Sequence, residues 1–438
     1  MRDELASARY LQHYIEADLP QPPQVASRWS QVLVIPAYRE RDDFLQRLSA
    51  LETGSQRILV IVVLNQPDTE PDRDCNRALR NTLRAGQVVE LDAGIDVCTL
   101  DLDQLRGPLP ASKGVGLARK AGCDLAFKWL QSGAINSDWI CNTDADATLP
   151  ADYFERLTSA PPKAPACVFP FVHVPSRDGL TDSAAFSATT QAINAATALY
   201  ELRLHHYVLG LEYAGSPYAY HTLGSCIAIR VGSYAHLRGF PQRSGGEDFY
   251  LLNKAAKLGR IERLPGACIQ LATRRSSRVP FGTGPAVEAL AGGNPVDRAA
   301  VFYNPQVFEV LRVLLQRVSQ ESVSSPGDID ALLGTAGLPL SISRFAVEAL
   351  TALGIDEALA HCHRQSKSVS QFQRQFSIWL DGFRTLKLIH YLRDAGAEML
   401  TLTELEHSTP NLWPLNARDA SRGGDVIAAV HNHWNWTH

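Results

Sequence analysis

Four apolar runs of strand length mark the first third of the chain. Gln31-Val32-Leu33-Val34-Ile35 ends at Pro36, and Val97 to Leu102 and Asp138 to Asn142 are of the same kind. Arg57 to Leu64 is apolar on both faces, as a strand buried in a parallel sheet must be. Helical patterns lie between the runs, at Arg41 to Leu51, 72–85 and Gly116 to Trp129. The stretch 66–96 starts polar and loop-like. Strand and helix alternate four times, which predicts an α/β fold with an open, mostly parallel sheet. Further strands are expected at Cys167 to Val174, Leu223 to Arg230 and 261–272. Helices are expected from Pro150, over Ser187 to Tyr213, over Ser233 to Leu237, and from Gly245-Gly246-Glu247-Asp248 to Leu258.

The texture changes at both ends. Residues 4–17 carry a partial apolar stripe (Leu5, Tyr10, Leu11, Tyr14, Ile15) that Pro20, Pro22 and Pro23 cut off, so 1–28 reads as a helical lead-in. Gly282, Gly284, Pro285, Gly292, Gly293 and Pro295 interrupt the pattern again. Beyond them, residues 300–400 are nearly all helical in period, for example Val307 to Val318 and Phe372 to Asp394. The expected division is therefore 1–28, an α/β domain over 29–294, and a helical C-terminal domain over 295–438. No internal repeat is visible.

Open α/β sheets bind ligands at the carboxyl ends of their strands. Pro36-Ala37-Tyr38, Asn65, Lys113 and the pair Asp144/Asp146 all fall at or just past such ends. An i, i+2 pair on a bend after a strand lets both carboxylates lean toward one point. Two hard oxygen donors there suit a divalent cation that also holds phosphate oxygens. The plainer reading of a lone D-x-D is a solvated turn.

Composition narrows the classes. The chain has 438 residues, 45% hydrophobic and 20% charged, enough for a large core and two domains. A net charge of -4 and a pI near 6.4 argue against a dedicated nucleic-acid binder. The N-terminus has no apolar targeting core, and no apolar run spans a bilayer. A cytoplasmic protein is expected, with peripheral membrane contact left open. Eight scattered cysteines form no C-x-x-C pair, so reduced, buried thiols are expected and a cysteine zinc site is not. The tail carries His431, His433, Trp434, Trp436 and His438. Its H-x-H spacing admits a metal; a polar tail packing its tryptophans is the plainer reading.

Four pieces occur in a telling order: I-P-A-Y-R-E at 35–40, G-x-x-x-A-R-x-x-G at 114–122, T-D-A-D at 143–146 and G-G-E-D at 245–248. Over residues 31 to about 280 this order resembles the GT-A glycosyltransferases, and most closely glycosyltransferase family 2. The resemblance implies a nucleotide-sugar donor, UDP- or GDP-linked, and a Mn²⁺ or Mg²⁺ ion. It implies Asp146 as direct metal ligand, with Asp144 against the ion's water, the ribose or the donor sugar. Pro36, Ala37, Tyr38, Glu40 and Asn65 would line the donor. Lys113, Arg119, Arg275 and Arg278 would supply positive charge around the diphosphate. Asp248, with Glu247 second, would be the base that takes the acceptor hydroxyl's proton in an inverting transfer. The alternative for this acid pair is helix N-terminal capping. Gly224 to Arg230 resembles the acceptor-side strand, and Tyr218, Tyr220 and His221 could stack on a sugar.

The chain also departs from the family. Leu64-Asn65-Gln66-Pro67 stands where an acid usually reads the nucleobase, which leaves the base open. Arg274-Arg275-Ser276-Ser277-Arg278 has no tryptophan, so the signature of processive synthases is missing. The acceptor is expected to be a sugar, a lipid-linked sugar or a small metabolite. Two other readings compete. A nucleotidyltransferase would show a glycine-rich basic loop after the first strand, unlike 36–40. A non-catalytic nucleotide- or sugar-binding scaffold would have no need of both acid pairs.

Overall fold

The computed structural model describes residues 2–24, 28–84, 86–175, 188–273, 283–292, 301–319, 333–334, 338–414 and 423–437. The chain forms two compact units. The first comprises Met1–Thr197, Thr222–Glu288 and Asn435–His438; the second comprises Ala198–His221 and Ala289–Trp434. The chain therefore passes between units more often than one boundary allows. The expected boundary at 294/295 lies outside the described residues.

The first unit opens with α1 (Arg2–His13), followed by β1 (Gln31–Ala37), α2 (Asp43–Ser49), β2 (Ile58–Leu64), α3 (Arg77–Leu83), β3 (Val88–Asp92) and β4 (Ile95–Asp101). Then come α4 (Leu102–Arg106), α5 (Gly114–Gln131), β5 (Trp139–Asn142), β6 (Ala147–Thr148), β7 (Ala166–Val168), β8 (Phe171–Pro175) and α6 (Ala188–Tyr213), which belongs to the second unit from Ala198 onward. After α6 follow β9 (Ile227–Arg230), α7 (Val231–Leu237), α8 (Glu247–Ala255), β10 (Glu262–Arg263), β11 (Gly266–Ala267), β12 (Ile269–Thr273) and, near the C-terminus, β13 (Trp436–Thr437). The main sheet has the order β10-β7-β9-β5-β1-β2-β4-β3. β5, β1, β2 and β4 run parallel, while β9 and the edge strand β3 are antiparallel to their neighbours. This is the mostly parallel α/β sheet that the alternation predicts.

Burial explains the apolar runs. Every residue of β2 is buried, because the sheet is covered on both faces. α5 lies so close to β1 and β2 that a Cβ on Gly122 would stand 2.5 Å from Val34 Cγ1 and 2.7 Å from Val63 Cγ2. The N-terminal helix is more than a lead-in. The buried carboxylate of Asp124 on α5 accepts hydrogen bonds from Tyr10 Oη, Tyr234 Oη at 2.6 Å, Lys120 Nζ and the Glu16 backbone N–H at 2.7 Å. A carboxylate taken out of water must find such partners, and here they come from α1, the turn after it, α5 and α7.

Several expected elements are drawn differently. Pro150 opens turns leading into a 3-10 helix, Glu155–Ser159. The segment 261–272 is broken into β10, β11 and β12. β3 lies in the stretch 66–96, where no strand is expected from the sequence. In the second unit, Phe372 to Asp394 is two helices, Val369–Trp379 and Gly382–Ala395, because Asp381 caps the later one by accepting the Arg384 N–H at 3.0 Å. That unit is helical, with Phe308, Leu311, Phe376, Leu388 and Leu392 at its core. No helix among the described residues is long and apolar enough to cross a membrane.

Candidate active site

The carboxyl ends of β1, β2, β4 and β5 lie along one rim of the sheet. At the end of β5 the chain turns: the Ala147 N–H donates to the Asp144 carbonyl at 3.1 Å, which puts Ala145 and Asp146 at the corner. The turn is held by two other elements. Arg47 of α2 donates from Nη2 to the Ala145 carbonyl at 2.6 Å, and the Ala272 N–H of β12 donates to the Asp146 carbonyl at 3.3 Å. Asp144 and Asp146 are both partly exposed. Arg47 is a positioning residue that the sequence reading missed; only its place on the helix after β1 hints at it.

Arg119 is the hub of the site. It lies on α5, 3% exposed. Its Nη2 donates to Asp144 Oδ1 at 2.6 Å and its Nε donates to Glu247 Oε1 at 3.0 Å. One cation thus joins the D-x-D turn to the G-G-E-D segment. Burial opposes the charge, but Asp144, Glu247 and Asp248 outweigh it and hold the guanidinium above its ordinary value. Nη1 is buried and has no hydrogen-bond partner among the described residues. Gly224 permits the packing, since a Cβ there would stand 2.5 Å from Arg119 Nη2.

The other arm of the hub is α8. Its N-cap is Gly246, in the left-handed region at φ 68°, and no side chain caps the helix. Asp248 Oδ1 nonetheless accepts the Phe249 N–H of the first turn at 2.7 Å, so part of the helix-start role remains with the acid pair. Glu247 is buried on Arg119, while Asp248 is half-buried beside it. Loss of water pushes the Asp248 carboxyl up, the negative charge of Glu247 adds to it, and the result is about 7. Asp144 also raises it, so the two acid pairs share one electrostatic neighbourhood.

The glycines at the start of α5 serve this arm. The Gly116 N–H donates to the Arg243 carbonyl at 3.0 Å, and a Cβ on Gly116 would stand 2.4 Å from the Pro241 carbonyl oxygen. They let the loop before α8 approach the helix backbone. Lys113 stands at the N-cap of α5, half-buried.

The residues expected to line a donor fall on the same rim. The Asn65 N–H donates to the Ala37 carbonyl at 3.2 Å. Asn65 is buried, and its Oδ1 has no hydrogen-bond partner among the described residues. Tyr38 donates to the buried Glu70, which also pairs with Arg39 Nη2 at 2.6 Å. Loss of water and the Glu70 carboxylate push the Tyr38 hydroxyl up to about 12. Glu70 is an acid that the sequence reading overlooked, five residues past Asn65. Pro36 and Glu40 are half-buried on the same stretch and Ala37 is fully buried. Arg275 and Arg278 lie outside the described residues. Tyr218, Tyr220 and His221 are buried in the second unit, where Tyr218 Oη donates to the Ser377 carbonyl at 2.9 Å.

The donor set at the turn, two carboxylates with one steered by Arg119, is hard and oxygen-only. It fits Mg²⁺ or Mn²⁺, ions that fill the rest of their shell with phosphate oxygens and water.

No protein-family model matches the chain, and no curated protein matches it in sequence. Among solved structures, S. aureus TarS residues 1–349 in complex with UDP-GlcNAc is 14% identical, over 77% of this chain and 92% of that one, with a TM-score of 0.37. The mannosyltransferase PcManGT from Pyrobaculum calidifontis, in complex with GDP-Man and Mn²⁺, is 15% identical over 91% of this chain and 94% of that one, with a TM-score of 0.35.

Proposed function

We propose that this chain is a metal-dependent glycosyltransferase that moves one sugar from a UDP- or GDP-linked donor to an acceptor hydroxyl, with inversion. The observation that carries the reading is the Arg119 bridge between Asp144 and Glu247. It brings the D-x-D turn and an acid pair, a hundred residues apart in sequence, together in one place. The order of motifs over 31–280, with its resemblance to family 2, supports the same reading.

Asp248 is the general base. A carboxyl poised near 7 is half ionised at neutral pH and strong enough to take a hydroxyl proton. The acceptor oxygen then bonds to the anomeric carbon as the bond from that carbon to the diphosphate breaks. Asp146 and Asp144 would hold the divalent ion, whose Lewis acidity offsets the charge gathering on the departing diphosphate. Arg119 keeps Asp144 and Glu247 in place and holds their negative charges together. Its Nη1, which has no partner among the described residues, and the ammonium of Lys113 are donors for phosphate or sugar oxygens, joined by Arg275 and Arg278. Asn65 Oδ1 is the acceptor for a nucleobase N–H, and Pro36, Ala37, Tyr38 and Glu40 line the nucleotide. The acceptor is a sugar, a lipid-linked sugar or a small metabolite.

The test is Mn²⁺-dependent release of UDP or GDP from one nucleotide sugar, with loss of that release in Asp146→Ala. Release that survives Asp146→Ala unchanged would overturn the metal assignment. No turnover across a full donor panel would leave a binding scaffold in place of an enzyme.

A further inference from the structure

The second unit contains a cluster that the transfer chemistry does not use. Glu201 and His205 sit i, i+4 on α6, so one helical turn stacks them on one face. His431 comes from the helix Gly423–His433. All three are buried, at 1% exposure or less.

Their ligand atoms converge. His205 Nε2 and His431 Nε2 are 3.2 Å apart, and Glu201 Oε1 is 3.6 Å from each. At 3.6 Å neither contact with Glu201 is a hydrogen bond. The circle through the three atoms has a radius of about 2.0 Å, close to the ~2.0–2.1 Å bonds that zinc makes with imidazole and carboxylate. An ion at that bond length sits just out of the plane of the three, as one face of a tetrahedron requires.

The surroundings fit a metal-ligating imidazole. His205 Nδ1 lies 3.0 Å from His221 Nε2. With Nε2 on an ion, the ring proton sits on Nδ1 and donates to His221, the kind of outer contact that orients a ligating histidine. Trp434 meets His205 and His221 edge to face, at 5.4 and 5.1 Å between ring centres, and walls the site.

We propose that Glu201, His205 and His431 form a zinc-class divalent metal site that ties α6 to the C-terminal helix within this unit. Two imidazoles and a carboxylate are a borderline donor set, which favours zinc over the magnesium or manganese suited to an all-oxygen site. The H-x-H of the tail does not act as a pair. Residues i and i+2 of a helix point to different faces, and His433 instead faces Glu212 with 44% of its side chain exposed.

The test uses the full chain, stripped with chelator and titrated with Zn²⁺ against a chromophoric chelator. About one tight zinc per chain is expected, retained in Asp146→Ala and in His433→Gln and lost in His431→Gln. The stripped wild type loaded with Co²⁺ should show the visible absorption of tetrahedral cobalt. His431→Cys should keep the ion and add a sulfur-to-cobalt charge-transfer band, which reports ligation even if His431→Gln fails to fold. No tight zinc on the wild type, zinc lost with Asp146→Ala, or cobalt-loaded His431→Cys without the new band would each overturn the site.

Discussion

Replacing Arg119 with Met keeps the length of the side chain and removes the charge that joins the two acid pairs. The guanidinium and Glu247 are both at least nine-tenths buried, and their Nε–Oε1 hydrogen bond is 3.0 Å. Unit charges about 4 Å apart attract by about 4 kcal/mol at an effective dielectric near 20. Desolvation offsets part of this, but removing one partner leaves a buried carboxylate unpaired, which costs about 3–5 kcal/mol. Asp144 is 36% exposed and is screened by water, so its share is small. Arg119→Met should therefore destabilise the first unit by about 3–5 kcal/mol. Arg119→Met/Glu247→Gln should recover part of that loss, giving a coupling energy of about 1–3 kcal/mol. The assay is urea unfolding followed by tryptophan fluorescence, with Trp29, Trp129 and Trp139 reporting from the same unit as the pair. Single and double losses that add to within about 0.5 kcal/mol would refute the bridge as the element that organises this site.

Two further predictions concern the chemistry and the packing around that bridge. Asp248→Asn should keep donor binding and lose transfer; the wild-type transfer rate should fall as pH drops through about 7, because the base form of Asp248 is then protonated. A rate independent of pH between 5.5 and 8, which are about the limits set by that value, would remove Asp248 as base. Gly224→Ala should cost about 1–3 kcal/mol of stability and lower activity together, because its Cβ would press on the Arg119 guanidinium. Full stability and activity in that variant would show that the guanidinium can move aside.

The fold was legible wherever burial shapes the local pattern. β2 could be read because every one of its residues is buried, and helix α5 because residues from Gly116 to Trp129 carry no proline and are mostly apolar. β3 was not legible: it is a five-residue edge strand with half-exposed positions, set in a polar stretch. The break at Asp381 was missed because the apolar period continues on both sides of it. The candidate site divides in the same way. Asp144/Asp146 and Glu247/Asp248 stand out as local motifs. The pairing of Arg119 with Glu247 spans 128 residues, and that of His205 with His431 spans 226. No local pattern encodes such contacts, since they depend on which elements the fold brings together. At Gly116 the missing side chain makes room for another stretch of backbone, the carbonyls of Pro241 and Arg243, which lie more than a hundred residues away in sequence.

The central claim is that the rim holding Asp144, Arg119 and Glu247 binds a nucleotide sugar through a divalent ion. Thermal unfolding across a panel of UDP- and GDP-linked sugars, with and without Mn²⁺, tests it most directly. A ligand present at a hundred times its dissociation constant stabilises the folded state by about 2.7 kcal/mol. One donor should raise the midpoint by several degrees with Mn²⁺ present, and the rise should vanish in Asp146→Ala. No shift with any nucleotide sugar, or the same shift without metal and in Asp146→Ala, would contradict the account.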